Sequence, residues 1–157
     1  MATTNKYNYL EPGEPSIYKA DTSGSNDIAM GDMVSWYAAG PYVKPLANGA
    51  EALFVGVSLD VAPTPTSNID NAAGKIDHVL VHAKGVFSFK TTAGETYGHG
   101  DAVKCGADAQ TVTNGSVAVD DIIGYVWRPN ESAALTGAAG VSVDTMIARR
   151  FPGTGLI

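Results

Sequence analysis

The sequence predicts an all-β protein: one β-domain built from two similar β-units and preceded by an extended N-terminal arm. Three observations carry that prediction. The 157 residues include 18 Gly and 8 Pro beside many Val and Thr, a balance that favours turns and short strands. Short apolar or alternating runs recur between turn signals such as Asn48-Gly49, Ala93-Gly94 and Asn114-Gly115, with no convincing amphipathic helix among them. A two-part motif also occurs twice. Gly31-Asp32-Met33-Val34 is followed by Phe54-Val55-Gly56-Val57, and Gly100-Asp101-Ala102-Val103 by Ile122-Ile123-Gly124-Tyr125.

Residues 1–27 read as the arm, because Pro12, Gly13, Pro15 and Gly24 break any helix there. One strand is expected within it at Ser16–Ala20. Tyr7, Tyr9, Leu10 and Tyr18 are its candidate anchors, since a tyrosine brings large area and a polar tip at low entropy cost. The alternative is that these side chains fold back onto their own domain. Residues 28–157 form the β-domain.

Within that domain Met33–Ala38 reads as a strand, and Ala52–Leu59 is so continuously apolar that burial on both faces is expected. Ile76–Lys84 alternates, with Asp77, Val79, Val81 and Ala83 on one face and Ile76, His78, Leu80, His82 and Lys84 on the other. Further strands are expected at Gly85–Lys90, Ala102–Cys105, Gln110–Thr113, Ile122–Trp127 and Val141–Phe151. Residues 61–74 form a long polar loop, and residues 131–140 have room for one weak helical turn.

The repeat gives its residues structural work. Gly31 and Gly100 stand 69 positions apart, and Gly56 and Gly124 stand 68 apart, so the inner spacing is nearly conserved between copies. The pseudo-repeat is placed at about 31–90 and 100–151. Glycine before a strand takes positive φ without steric cost, and the following Asp32 or Asp101 bonds backbone N–H groups in an Asx-type turn. Gly56 and Gly124, inside apolar runs, mark bulges or close backbone approaches.

Charge and chemistry narrow the function. The net charge is −6 and the ten basic residues are scattered, so no cluster exists to displace the counterions of a nucleic acid. No apolar run approaches the ~20 residues of a membrane-spanning helix. No apolar segment follows Met1–Lys6, so no signal peptide is expected and the chain is expected to fold in a cytoplasm. Cys105 is the one cysteine, which excludes an internal disulfide and a cysteine metal cage.

His78 and His82 share a strand face but lie about 13 Å apart by strand rise, too far to share a metal easily. His99, Asp101 and Cys105 are near in sequence, yet no helix N-terminus is expected there to activate a thiol. Gly98-His99-Gly100 lacks the Gly-Lys-Ser/Thr ending of a phosphate loop, and Asp120-Asp121 reads as a solvated turn. No catalytic residue, metal site or cofactor site is assigned, and the chain is not expected to be an enzyme. A metal-dependent enzyme using His78, His82 or His99 is the least favoured alternative.

The order of motifs resembles a tailed-phage family of capsid cement or decoration proteins, formerly a domain of unknown function. The motifs are Asn8-Tyr9-Leu10-Glu11-Pro12-Gly13, Gly31-Asp32-Met33-Val34, Phe54-Val55-Gly56-Val57, Gly85-Val86-Phe87-Ser88-Phe89-Lys90, Gly100-Asp101-Ala102-Val103 and Ile123-Gly124-Tyr125-Val126. They span about residues 8–150; each is weak alone and their order is the specific feature. The stretches 61–74 and 128–140 are longer than the pattern needs. The resemblance implies a small β-barrel or β-tulip-like fold and an oligomer, a homotrimer being favoured. It implies a major capsid protein as partner, with no nucleic acid or membrane partner. Such a protein is made in the host bacterial cytoplasm and sits on the outer capsid surface of the virion, stabilising the joints between capsomers. The rival expectation is a carbohydrate- or receptor-binding β-module using Trp36, Tyr37 and Tyr42.

Overall fold

The computed structural model describes residues 15–21, 26–37, 42–61, 77–148, 150–151 and 155–156. Among the described residues the fold is all-β, apart from a short 3-10 turn at Glu51–Leu53. Strands β1 (Ser16–Ala20), β2 (Met33–Trp36), β3 (Val43–Pro45), β4 (Phe54–Ser58) and β5 (Asp77–His82) close into one barrel in the order β1-β3-β2-β4-β5. Strands β6 (Lys84–Thr91), β8 (Ala102–Cys105), β9 (Thr111–Asn114), β10 (Gly124–Val126) and β12 (Ser142–Ala148) close into a second. Two small ribbons pair β7 (Thr96–Tyr97) with β11 (Leu135–Thr136), and β13 (Arg150–Phe151) with β14 (Gly155–Leu156).

The two barrels have one connectivity. The first strand of each runs parallel to the third, as Ala20 pairs with Val43 and Thr91 with Val112. The second pairs with the third and fourth, and the fifth closes the ring between the fourth and the first. The loop bonds repeat at the same offsets. Gly31 N donates to Ser58 O as Gly100 N does to Val126 O; Ser58 N donates to Asp32 O as Val126 N does to Asp101 O. Leu46 N to Met33 O corresponds to Gly115 N to Ala102 O, and Tyr37 N to Tyr42 O corresponds to Gly106 N to Thr111 O.

The repeat boundaries differ from the sequence expectation. Each unit starts at its first strand, upstream of the Gly-Asp turn, so the units run Ser16–His82 and Lys84–Ala148. Gly85–Lys90 therefore opens the second unit and does not close the first. The strand at Ser16–Ala20 pairs with β5 along its whole length, which ties this stretch to the barrel. The loop expected at 61–74 lies outside the described residues beyond Val61. Residues 131–140 contribute a strand, β11, where a helical turn had room.

Alternation explains the core. In the first barrel Val34, Val43, Val55, Val79 and Val81 form one buried cluster with Ala20 and Ile28. A second cluster fills the other barrel with Phe89, Val103, Val112, Ile123, Val143 and Ile147 and extends to Met33, Leu46, Phe54 and Val57 of the first unit. Strand β4 is therefore buried on both faces, one toward its own barrel and one toward its neighbour. Met33 N donating to Ala109 O at 2.7 Å and Gln110 Nε2 donating to Asp32 Oδ1 at 2.8 Å pin the same seam.

Candidate functional site

The chemically reactive side chains are dispersed or spent on structure. Cys105 is fully buried, and its thiol lies 3.5 Å from Asp108 O and 3.7 Å from Leu46 O. Burial, with the Glu51 and Asp108 charges, pushes this thiol up to about 12, far from a nucleophile's range. His82 stacks edge-on against Phe87 with ring centres 5.9 Å apart. His99 accepts a bond from Arg128 N through Nδ1 at 2.9 Å and stacks on Trp127. Among the described residues, no three His, Cys, Asp or Glu side chains converge to hold a metal ion.

The acidic groups serve turns. Asp32 Oδ2 accepts from Ala29 N at 2.8 Å, and Asp101 Oδ2 accepts from Gly98 N at 2.6 Å. Gly31 and Gly100 precede them with φ of 88° and 86°. Gly56 and Gly124 lie where a neighbouring carbonyl, of His82 and of Met146, fills the space a Cβ would need.

Asp120 lies on the expected turn before β10, and its carboxylate is bonded there. It meets Lys104 Nζ at 2.8 Å and accepts from Ser116 N at 2.8 Å. The Lys104 bond holds the Asp120 carboxyl below its ordinary value, and the Asp120 bond holds Lys104 above. These contacts lock the base of the β9–β10 connection. Its tip presents Val117 and Val119, 69% and 84% exposed.

Of the expected arm anchors, Tyr7, Tyr9 and Leu10 lie outside the described residues. Tyr18 sits on β1 and packs edge-on against Trp36 at 5.3 Å, beside the first core cluster. Its ring is thus engaged by its own barrel. Lys44 Nζ stands 5.1 Å from the centre of the Tyr37 ring. Trp36, Tyr37 and Tyr42 remain half-buried at one end of the first barrel.

Sequence reasoning missed one surface. Val86 pairs with Met146, Met146 with Tyr125, and Tyr125 with Ala102, so four adjacent strands place these residues in one row. The row faces outward, with Val86 48% and Met146 41% exposed. The signal was in the alternation: Val86 shares its face with Ser88 and Lys90, and Met146 shares its face with Ser142 and Asp144. Beyond the row, an open cleft of about 240 Å³ lies between Met30, Gly31, Ser88, Lys90, Gln110 and Ser142.

No family model matches the chain, and no curated protein sequence does. A solved structure does match. The chain shares its fold with the base of a phage head fiber. The crystal structure of the N base of head fiber gp8.5 in bacteriophage phi29 aligns with a TM-score of 0.51 and 12% identity, over 86% of this chain and 93% of that one. At that identity the likeness speaks for the fold alone, and the residues of the surface remain this chain's own.

Proposed function

We propose that this chain is a structural protein of a phage virion that binds the outside of the icosahedral shell and stabilises it at the joints between capsomers. The carrying observation is the fold shared with the phi29 head fiber base across most of both chains. The order of sequence motifs points the same way. In this reading the partner is the major capsid protein, the protein works as a homo-oligomer, with a trimer favoured, and no catalysis is involved. Several weak contacts made at once raise occupancy by ~10²–10⁴ over a single one, so an oligomer needs no strong individual site.

The arm in this reading is residues 1–15, with Tyr7, Tyr9 and Leu10 gripping the shell or a neighbour. Tyr18, also expected as an anchor, packs on Trp36 in its own barrel and is left in place by the test. The test uses expanded shells made without the protein. Purified full-length chain is added, and occupancy and shell stability are measured. Saturable binding is expected, together with resistance of the shells to disruption. A chain lacking residues 1–15 keeps β1 and so keeps the barrel; it is expected to bind at least about tenfold more weakly. Failure of the full-length protein to bind would overturn the shell assignment. Unchanged binding by the truncated chain would overturn the arm.

A further inference from the structure

The two units put different chemistry at one equivalent place. Leu59 N donates to Leu80 O at 2.8 Å, and Trp127 N donates to Asp144 O at 2.7 Å. These bonds extend the β4–β5 and β10–β12 pairing by one matched residue each. On the next strand Leu80 pairs with Ile17 and Asp144 with Ser88. The Gly-Asp turn beside each row adds Met30 in the first unit and His99 in the second. The first unit thus has Met30, Leu59, Leu80 and Ile17 where the second has His99, Trp127, Asp144 and Ser88. The first set is wholly apolar, so the barrel itself does not require polar groups at this place.

The second set faces outward: Trp127 is 40% exposed, and His99, Asp144 and Ser88 are exposed beside it. His99 holds the indole by an edge contact, with ring centres 5.5 Å apart. Its Nδ1 accepts from Arg128 N at 2.9 Å, so the neutral ring carries its proton on Nε2 and offers a donor there. Asp144 has no ion-pair or hydrogen-bond partner among the described residues, which leaves its carboxylate an open acceptor. The row Trp127–Asp144–Ser88 crosses three strands, a span of roughly 10 Å. At Ser88 it meets the open cleft of about 240 Å³, where Lys90, Gln110 and Ser142 bring further hydrogen-bonding groups.

We propose that this track binds a neutral oligosaccharide, one sugar ring lying on the Trp127 indole and the chain running over Asp144 and Ser88 into the cleft. A sugar has a C–H face that packs on the negative face of an aromatic ring, and a rim of hydroxyls that each donate and accept. Asp144 and His99 Nε2 supply an acceptor and a donor beside the indole. A nucleic acid would bring phosphates against Asp144, and a purely apolar partner would bury its carboxylate unpaired. The site is separate from Trp36, Tyr37 and Tyr42, the glycan candidates of the sequence, where Tyr18 already packs on Trp36. It is a binding activity beyond shell attachment and does not rest on it.

The experiment uses the full-length chain carrying Trp36→Phe, which leaves Trp127 as the one tryptophan. Its fluorescence is titrated with maltohexaose, cellohexaose, mannohexaose and chitohexaose. A saturable change in intensity and emission wavelength is expected with at least one of them, half-saturating in the millimolar range or below. Asp144→Ala in the same background is expected to weaken that binding about tenfold or more, as the loss of a hydrogen bond to a charged group does. Met146→Ser, one row away on β12, is expected to leave it unchanged. Circular-dichroism melts check that the variants fold, and His99→Ala replaces Asp144→Ala if that variant does not.

No spectral change with any of the four oligosaccharides would overturn the proposal. So would a response that Asp144→Ala leaves intact, because the polar half of the site would then play no part. Shells are absent from this titration, so its outcome is independent of the shell assignment. A chain that ignores all four oligosaccharides, and whose Trp127→Ala/Asp144→Ala variant no longer binds shells, would assign the platform to the shell instead.

Discussion

Glu95 shows how single residues hold the second barrel. Its carboxylate accepts from Thr113 Oγ1 at 2.6 Å and from Asn114 N at 2.8 Å, while Tyr97 OH stands 2.9 Å from it. Burial raises this carboxyl, but those hydrogen bonds and the Lys104 charge outweigh it, and the group titrates below its ordinary 4.5. A depressed folded value means the stabilisation is complete above the unfolded value and is lost as pH falls through the folded one. Glu95→Gln is therefore expected to cost on the order of 1–3 kcal/mol at pH 7. The difference from wild type should vanish under acid, where wild-type Glu95 is protonated. Urea denaturation at neutral and at acid pH measures both, and a gap that widens under acid would refute the assignment. Cys105 makes the opposite case at this scale. It looks reactive beside His99 and Asp101 in sequence, yet it occupies the barrel position that Trp36 holds in the first unit.

At the scale of elements, the glycines of the repeat act in pairs with separable causes. Gly31 and Gly100 have open space where a Cβ would go, and their cost on substitution comes from positive φ alone. Alanine there is expected to cost about 1–2 kcal/mol. Gly56 and Gly124 have negative φ but a strand carbonyl against them, so alanine must push β5 or β12 away. That is expected to cost about 1–3 kcal/mol and to disturb the strand pairing of its barrel. Urea midpoints for the four variants are expected to fall into two matched pairs. A cost at Gly56 with none at Gly124 would break the equivalence of the units.

At the scale of the molecule, the seam decides whether two barrels behave as one body. Phe54 is buried in the cluster that fills the second barrel, although its backbone belongs to the first. One tryptophan reports on each barrel, since Trp36 lies on β2 and Trp127 directly follows β10. Trp36→Phe and Trp127→Phe variants are expected to unfold at one denaturant concentration. Adding Phe54→Ala is expected to cost about 3–5 kcal/mol of stability and to lower both midpoints together. Two separated transitions would show that the seam does not couple the units.

The sequence by itself determined the fold class, because period-two alternation and turn chemistry are local. Val79 and Val81 against His78, and Gly-Asp before a valine, are legible wherever they occur. It also showed the repeat, since matched spacing survives when little else does. It misplaced the unit boundaries because closure of a barrel is non-local. That Ser16–Ala20 belongs with Val43 and with Asp77–His82, and Lys84–Thr91 with a separate ring, follows from pairing across distant segments. The exposed row on the second barrel was hidden for the same reason. Val86, Met146 and Tyr125 are scattered over 61 positions of chain and meet only through strand register. Whether such a row is covered, as in the first unit, or open, as in the second, depends on what lies across from it, and only the tertiary structure places that neighbour.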